Sequence, residues 1–474
     1  MTRFPTPIEP ENIKLLIAER IHDPQLRGNV ARATKTSLVK RADVVADYPD
    51  WEAMRDAAHD IKRHVMDHVS EYLAQFEERA VAAGTKVHFA ADAKEAADLV
   101  CELASRYGRR VAVKSKSMTG EEIDLTHALE RAGLETIETD LGEYIIQLAG
   151  EPPSHITAPA LHKSRGEIGL LFAEKLGIEY SDDPEHLTKV ARRILREDFL
   201  RADVGVSGVN FAIAESGSIC IVENEGNARL STTMPKVHIA VMGFEKLLPD
   251  FESLSLFLNM LGRSATGQRI TCYTSILNGP RRESEHDGPE ELHIVILDNG
   301  RSRMLADPQL REALFCIRCG ACMNVCPVYQ KIGGHGYGSI YPGPIGSIIT
   351  PIFRGEERAA AMPFASSLCG ACSEICPVRI DLHHLLLNWR ERISEKRKGK
   401  FPERFFMRMF QFAAVHTSLF DFGGRLFRVF APLMRDEKYG LRMPVWGRTR
   451  AFPAAPEKSF KQLWSEKQER EDAG

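Results

Sequence analysis

CIRCGACMNVCPVY, residues 316–329, places four cysteines at the spacing of bacterial two-cluster ferredoxin motifs. Two residues separate Cys316 from Cys319 and Cys319 from Cys322, and three residues separate Cys322 from Cys326. The short gaps let three thiolates of a tight loop reach three corners of one cubane, and backbone N–H groups of the loop stabilise the negative charge of the cluster. The fourth cysteine is followed by proline and is redirected toward the other cluster.

A second run, LCGACSEICPV at residues 368–378, carries three cysteines. A complete motif would have a further cysteine where this chain has Ser366. With the usual crossover, the first cluster takes Cys316, Cys319, Cys322 and Cys376, and the second takes Cys326, Cys369 and Cys372. The sequence therefore predicts two [4Fe-4S] clusters, one of which lacks a cysteine at one iron.

The incomplete corner of the second cluster leaves three outcomes open. Ser366 ligates iron through its hydroxyl oxygen, or water or another residue occupies the corner, or the iron is absent and a [3Fe-4S] cluster remains. Because a hydroxyl is a poorer ligand than a thiolate for these clusters, we expect the second cluster to be the more labile one.

A pair of zinc sites is the alternative interpretation of these cysteines. Zinc motifs usually separate two Cys-x2-Cys pairs by about a dozen residues or more, whereas four cysteines crowd between Cys316 and Cys326 here. The remaining Cys101, Cys220 and Cys272 stand alone in apolar surroundings and are predicted to be small core residues. The distribution favours iron–sulfur clusters in a reducing compartment.

The composition is that of a globular protein without a global electrostatic preference for a partner. The 474-residue chain is 27% charged with a formal net charge of −3, so nothing points to nucleic acid or to an anionic membrane. The N-terminus lacks the apolar core of a secretory signal, and no apolar run approaches the roughly 20 residues that span a bilayer. We expect a cytoplasmic protein with at most peripheral membrane contact.

Strand-like and helical segments alternate over residues 85–300. The predicted strands are 86–90, 110–114, 135–140, 211–214, 219–223, 238–242, 270–274 and 293–297, and the predicted helices are 93–107, 121–132, 166–176 and 184–201. Such alternation is typical of an α/β domain whose largely parallel sheet is covered on both faces.

Four domains are predicted along the chain. They are an N-terminal helical region at 1–84, the α/β domain at 85–300, a helical two-cluster ferredoxin-type domain at 301–390, and a helical, basic and aromatic C-terminal extension at 391–474. One long helix is expected over 51–83, and Gly423-Gly424 is expected to divide the C-terminal extension into two helices. The basic stretch at 27–41 is interpreted as a solvated arm that packs on the body of the protein, rather than as a specific binding site.

Three segments together resemble the lactate utilization protein B family, the iron–sulfur subunit of a bacterial L-lactate oxidation system. They are the cysteine runs, KSKSMTGEEIDLTHALERAG at 114–133 and VSGVNFAIAESGSICIVENEGNARL at 206–230. The resemblance covers nearly the whole chain. It implies that the α/β part is a LUD domain, related to NagB, ribose-5-phosphate isomerase and CoA transferases. It also implies the cluster ligands given above, with no eighth cysteine.

The resemblance implies an electron-transfer subunit in the oxidation of L-lactate to pyruvate, one that is non-catalytic or co-catalytic. Its expected partners are companion lactate-utilization subunits and an external electron acceptor. Two alternatives stay open: the LUD domain binds and converts a small carboxylate with the clusters as local electron acceptor, or the clusters are structural or redox-sensing. No GxGxxG follows a predicted strand, so no dinucleotide site is predicted.

Side chains near the predicted strand ends are candidates for binding a small carboxylate, because α/β folds place ligands there. Glu215 is the catalytic candidate, and its alternative role is to cap a turn or to pair with a basic residue. Lys114, Lys116 and the hydroxyls of Ser115 and Ser117 could bind the substrate carboxylate. We favour the alternative, in which these lysines are solvated in a loop.

Four residues close to the cysteines receive structural interpretations. Arg318 and Arg379 are interpreted as solvated charges rather than as groups that tune the redox potential. His335 and Tyr337, in a Gly-rich linker, are predicted to pack against a cluster, and a histidine there is a second candidate for the open iron corner. The basic, aromatic C-terminal helices are predicted to dock partner subunits or to wrap onto the chain itself.

Overall fold

The computed structural model of the chain describes residues 6–106, 110–396, 401–431, 435–436, 440–441 and 455–472. The chain divides into two compact units, Met1–Ile393 and Ser394–Gly474. The α/β sheet and both cysteine runs therefore belong to one unit. Tyr107, at which a helix was predicted to end, lies outside the described residues.

A six-stranded parallel sheet forms the centre of the first unit. Its order is β1-β10-β7-β4-β2-β3, with β1 Lys86–Ala90, β2 Val111–Lys114, β3 Glu135–Glu138, β4 Val204–Gly208, β7 Val237–Gly243 and β10 Glu291–Leu297. Every pairing in it is parallel, which confirms the predicted sheet type. All six carboxyl ends consequently lie along one edge, which is where α/β folds bind ligands.

Helices cover both faces of this sheet. They are α5 Ala93–Ser105, α6 Met118–Glu122, α7 Leu125–Arg131, α8 Leu141–Ala149, α9 Arg165–Leu176, α10 Pro184–Arg201 and α11 Asn227–Thr233. Strand β7 is buried along its whole length: Ile239 and Val241 join one apolar core, while Ala240 and Met242 join another. The predicted helix over 121–132 is instead two helices, because Asp124 adopts a left-handed conformation with φ +54°.

A second, four-stranded sheet corrects the expectation of one largely parallel sheet. Its order is β8-β5-β6-β9, with β5 Phe211–Ile213, β6 Ser218–Glu223, β8 Leu247–Leu248 and β9 Tyr273–Leu277. Strand β6 runs antiparallel to both of its neighbours. Gly217 makes the β5–β6 turn possible, since its φ is +68° and a Cβ atom there would lie 2.2 Å from the backbone nitrogen of Ala80. Helix α12, Phe251–Thr266, packs against this sheet.

The N-terminal region is helical, as predicted, and consists of α1 Ile13–Arg20, α2 Pro24–Val45, α3 Trp51–Asp67 and α4 Val69–Ala82. The single helix predicted over 51–83 is wrong, because the chain bends at His68, with φ −120° and ψ 28°. The arm predicted at 27–41 packs on the body of the protein, as expected, and most of its residues are exposed or partly exposed. That stretch belongs to α2, which buries Leu26, Val30 and Thr34 against the rest of the unit.

Short helices carry the cysteine runs. They are α13 Arg301–Leu305, α14 Ala321–Val325, α15 Tyr329–Ile332, α16 Gly343–Phe353, α17 Glu356–Ala359, α18 Ala371–Ile375 and α19 Leu382–Lys396. Helix α16 occupies part of the Gly/Pro-rich linker, where Pro344 stands in the first turn and needs no N–H partner. Residues 343–351 of this helix are all buried, so the linker is part of the core that surrounds the cysteines.

The second unit contains α20 Phe401–Val415, α21 Thr417–Phe430, β11 Arg435–Asp436, β12 Gly440–Leu441 and α22 Phe460–Asp472. The predicted break at Gly423-Gly424 is wrong, since α21 continues through both glycines and the preceding break lies at His416. Among the described residues of the chain, no helix is both long enough and apolar enough to cross a membrane.

A fully buried arginine joins the sheet to the cysteine-bearing segment. Arg301 donates from Nη1 and Nη2 to the two carboxylate oxygens of Glu122, at 2.8 and 2.9 Å, and from Nε to Glu245 Oε2 at 2.6 Å. Tyr341 donates its hydroxyl to Glu122 at 2.9 Å, and the ring of Phe353 lies 4.7 Å from the guanidinium carbon. Burial opposes ionisation of Glu245, but Arg301 and other cations lower its pKa to about 2. Because the network consists of buried charges, the loss of one member would leave another charge without its partner.

Replacing Arg301 by methionine should destabilise the first unit strongly. The substitution leaves Glu122 and Glu245 buried without their main cation, and breaking a buried ion pair in this way costs about 3–5 kcal/mol. The measurement is anaerobic denaturant unfolding followed by circular dichroism. Arg303→Met on the same helix is the control, because Arg303 is exposed and should cost less than about 1 kcal/mol. Equal stability of the two variants would contradict this role for Arg301.

Candidate iron–sulfur site

The two cysteine runs fold into the same local structure twice. A residue in the left-handed region precedes one cysteine of each run, Arg318 with φ +60° and Leu368 with φ +55°. A glycine with positive φ follows that cysteine, Gly320 at +77° and Gly370 at +81°, and a short helix begins immediately after it. These two helices, α14 and α18, pack against each other. The runs are therefore structural repeats placed side by side.

Burial distinguishes the two sets of cysteines. In the first set Cys319, Cys322 and Cys376 are buried and Cys316 is partly buried, whereas in the second set Cys326 and Cys372 are buried and Cys369 is exposed. Burial raises the thiol pKa of most of them, for example that of Cys376 to about 12. Thiols of this kind become thiolates only when metal is bound.

Electrostatic influence between the thiols mostly follows the two predicted groups, with one exception, in which Cys372 of the second group raises the pKa of Cys322 of the first. Besides burial, Cys316 and Cys376 raise the pKa of Cys319, and Cys316 raises that of Cys376. In the other group, Cys326 and Cys369 act on Cys372 in the same way. Cys376, which is remote from Cys316 in sequence, therefore lies in its neighbourhood in space.

Backbone N–H groups are directed at the sulfur atoms. Cys319 accepts from Ala321 and Cys322 from Ile345, while a pair of amides serves each proline-linked cysteine: Val328 and Tyr329 for Cys326, and Val378 and Ile380 for Cys376. Donors in these positions compensate the negative charge of thiolates and of a cluster. The arrangement agrees with the chemistry predicted from the loop spacing.

Ser366 occupies in the second repeat the position that Cys316 occupies in the first. The amide of Arg318 donates to Cys316 Sγ at 3.4 Å, and the amide of Leu368 donates to Ser366 Oγ at 3.1 Å. The backbone oxygen of Ser366 accepts from Arg390 Nη2 at 2.8 Å, which holds this loop against α19. The serine is thus the structural equivalent of a cysteine ligand.

The N-terminal helices hold the second cysteine run, a role that the sequence did not reveal. Arg55 of α3 is buried and donates to the backbone oxygens of Cys376 at 2.9 Å and Glu374 at 2.6 Å. Arg41 of α2 donates to the backbone oxygen of Ile375 at 3.2 Å. Burial raises the pKa of both neighbouring thiols, whereas the cations oppose this rise, Arg41 at Cys319 and Arg55 at Cys376.

Arg318 is not a solvated charge, contrary to its interpretation from sequence. Its side chain is only 10% exposed, its Nη2 lies 3.6 Å from Glu245 Oε1, and its guanidinium carbon lies 4.8 Å from the ring centroid of Tyr341. Arg379 is partly exposed and pairs with Glu52 and Asp56 of α3. Both arginines therefore connect the cysteine runs to other elements.

The two linker residues have different surroundings. The hydroxyl of Tyr337, which is fully buried, lies 3.9 Å from Cys326 Sγ. His335 Nε2 instead lies 2.8 Å from the backbone oxygen of Pro152, and its ring stacks edge-on against His162 at 4.6 Å. Tyr337 thus borders the second thiol group, while His335 connects the linker to the loop that follows α8.

Lys114 at the sheet edge is buried, and Lys116 is partly buried with a buried Nζ, so the prediction of solvated lysines is wrong. Lys114, the last residue of β2, is fully buried and donates to Glu121 at 2.8 Å and to Glu138 at 2.7 Å. Lys116, Ser115 and Ser117 line a cavity that opens between this edge and Arg318. The ion pairs of Lys114 indicate a structural role, whereas Lys116 lines the cavity.

Glu215 lies elsewhere, in the β5–β6 turn. Its side chain is exposed, and Oε1 accepts a hydrogen bond at 2.8 Å from the backbone N–H of Phe251, the first residue of α12. A carboxylate in this position satisfies a free helix N–H group and complements the helix dipole. The geometry favours the capping role for this residue.

Comparison with known families and relatives agrees with this arrangement. Family models match three consecutive parts of the chain: the LUD domain at residues 73–297, the 4Fe-4S dicluster domain at 312–380 and the C-terminal domain of lactate utilisation protein B at 391–469. Lactate utilization protein B of Bacillus cytotoxicus is 44% identical over 95% of this chain and 96% of its own length. The chain belongs to the lactate utilization protein B family.

Other relatives of this lactate utilization protein B family member extend the comparison. An uncharacterized electron transport protein of Escherichia coli, YkgF, is 47% identical over 87% of this chain and 86% of its own length. Among solved structures, a DUF162 family protein of Deinococcus radiodurans matches 48% of this chain and 97% of its own, with 16% identity and a TM-score of 0.28.

The residues of this family member fit iron–sulfur clusters. The donors are soft thiols, which these clusters prefer, and amides and buried arginines stand beside them to balance negative charge. The 4Fe-4S dicluster match covers both cysteine runs and the intervening linker. Iron–sulfur binding by this chain therefore agrees with both the sequence and the fold.

Removing the Arg55 charge should lower the reduction potential of the cluster bound beside Cys376. A nearby cation stabilises the more negative, reduced state, so Arg55→Gln should shift the potential downward, on the order of tens of millivolts. The measurement is an anaerobic redox titration followed by EPR. Arg63→Gln on the same helix is the matched control, since the Arg63 side chain is 58% exposed. An unchanged potential in Arg55→Gln, with full cluster content, would contradict this role.

Proposed function

We propose that this chain is the iron–sulfur electron-transfer subunit of a multi-subunit system that oxidises L-lactate to pyruvate. The observation that carries the proposal is the pair of cysteine repeats packed side by side, with the first set of thiols buried or partly buried and the second reaching the surface at Cys369. Supporting it are the relatives named for lactate utilization and for electron transport.

The proposed ligands follow the crossover of two-cluster motifs. The first cluster takes Cys316, Cys319, Cys322 and Cys376, and the second takes Cys326, Cys369 and Cys372. When bound, each cluster accepts and releases single electrons. The position of the two crossover thiols supports this division, because Cys376 raises the pKa of Cys319 and Cys326 raises that of Cys372, although Cys372 also acts on Cys322.

Ser366 is proposed to stand at the incomplete corner of the second cluster. The support is its equivalence to Cys316: in each repeat the side-chain atom accepts the amide two residues onward. Ser366 is partly buried and its neighbour Cys369 is exposed, so this corner is the part of the site closest to solvent. Both features agree with a second cluster that is more labile than the first.

Ser366→Cys should make the second cluster more resistant to oxygen. A thiolate in the position equivalent to Cys316 completes the ligand set, and we expect cluster loss in air to slow severalfold. The measurement is the decay of visible absorbance together with iron released. Ser70→Cys on α4 is the matched control, because Ser70 is exposed and lies outside both cysteine runs. An unaltered rate in Ser366→Cys, or equal protection in Ser70→Cys, would rule out this placement.

The arrangement suggests a direction for electron flow. The first thiol group lies beside Arg318 and the sheet edge, whereas the second is open at Cys369. We therefore place electron exit, toward an external acceptor or a companion subunit, on the side of the second cluster. The exposed aromatic side chains of α20 and α21, among them Phe406 and Phe422, offer apolar surface suited to a companion subunit.

Reduction of the clusters by L-lactate tests the relay directly. The anaerobic chain is mixed with L-lactate alone and then with its companion subunits, and EPR follows the clusters. We expect reduction only in the complete mixture. Lactate-dependent dye reduction by the chain alone would show that it is itself the oxidising enzyme. Clusters that stay oxidised in the active complex would instead favour a structural or sensing role.

A further inference from the structure

A cavity of about 270 Å³ lies between the carboxyl edge of the parallel sheet and the first cysteine loop. The segments that follow β2 and β4 form its sheet side, and Arg318 and Tyr341 close it from the cysteine-bearing segment. Its size is near the lower end of ligand pockets, which run from about 300 to 1,000 Å³, so it suits a small metabolite. The edge is also the usual ligand position in α/β folds.

Three cations of this cavity have donor groups that are not used within the described part of the chain. Lys116 Nζ and Arg318 Nη1 are buried, and neither donates a hydrogen bond to any described group. Lys246 is 8% exposed, and Glu245 stabilises its charge. Glu245 Oε2 accepts from Arg301 at 2.6 Å, and Glu245 Oε1 lies 3.6 Å from Arg318 Nη2, so this ion pair does not involve Arg318 Nη1. Because buried polar groups in native proteins are nearly always hydrogen-bonded, these cations indicate an anionic ligand.

The carboxylates of the same cavity are already occupied. Asp140 accepts the N–H of Glu143 at 3.1 Å, Glu225 accepts that of Leu141 at 3.1 Å, and Glu223 accepts two amides of α11 at 2.7 and 2.8 Å. Backbone amides thus occupy these carboxylates, and Lys116 Nζ and Arg318 Nη1 donate to none of them. At the same time, three carboxylates beside three cations keep the total charge near zero, which favours a small monoanion over a phosphate or a nucleotide.

We propose that this cavity binds a small carboxylate, a 2-hydroxy or 2-oxo acid, held by Lys116, Lys246 and Arg318. Arginine and lysine are well suited to a carboxylate, and a planar guanidinium can hold both of its oxygens. Arg318 lies between Cys316 and Cys319, so the bound acid sits next to the first cluster loop. The choice of a 2-hydroxy or 2-oxo acid rests on the proposed lactate oxidation, whereas the carboxylate site itself rests on the cavity and its cations.

Calorimetric titration of the cluster-loaded chain with L-lactate and with pyruvate tests the site. We expect saturable binding of at least one acid, weakened about tenfold or more in Lys116→Gln and in Lys246→Gln, since each loses a charged hydrogen bond. Lys116→Arg keeps the charge and should retain more affinity than Lys116→Gln. Lys94→Gln is the control, because that side chain is 85% exposed and should bind like the unaltered chain.

Two further probes separate a carboxylate site from other possibilities. Lactamide, the neutral analogue, should bind at least about tenfold more weakly than L-lactate, and the acid should alter the EPR signal of the reduced first cluster. No saturation in the millimolar range, equal binding of lactamide, or stronger binding of inorganic phosphate would overturn the proposal. So would unchanged affinity in both lysine variants at full iron content. None of these results decides whether the chain relays electrons, because the L-lactate reduction experiment tests that separately.

Discussion

The buried ion network around Arg301 is the constraint on which the arrangement of the site depends. One guanidinium holds Glu122 after β2 and Glu245 after β7, and Tyr341 of the cysteine-bearing segment donates to the same Glu122. Charges in such surroundings are tolerated only when each is paired. The sheet edge and the cysteine segment must therefore meet in one register, or several ionised groups would be left buried without partners.

The Arg301 network explains why the cysteine-bearing segment and the α/β domain form one compact unit. Glu245 also lies 3.6 Å from Arg318, so the first cysteine loop is held against the carboxyl edge of the sheet. The second repeat is held from the other side, by Arg55 and by Arg41 of the N-terminal helices. The loop of the first thiol group consequently borders the proposed ligand cavity through Arg318, and the second group reaches solvent at Cys369, an order that suits electrons entering on one side and leaving on the other.

Local patterns in the sequence predicted a large part of this structure, and long-range contacts account for the rest. Cysteine spacing and apolar periodicity are local, so the repeats, the parallel sheet and most helices could be predicted. Nothing local distinguishes Lys114, which pairs with distant Glu138, from a solvated lysine, and nothing marks Arg55 as a donor to the turn at Cys376. Strands β5 and β6 of the second sheet were predicted, but their antiparallel pairing across the short turn at Gly217 was not, and β9 joins them from a distant part of the chain.

The central prediction for this protein is a pair of clusters with unequal ligand sets. The number and type of clusters are measured by iron and sulfide analysis of anaerobically prepared protein, combined with EPR of the oxidised and dithionite-reduced states. We predict about eight irons per chain, two interacting reduced cubanes, and selective loss of iron from one of them on exposure to air. Zinc in place of iron, a single cluster, or two clusters lost at the same rate would contradict the account.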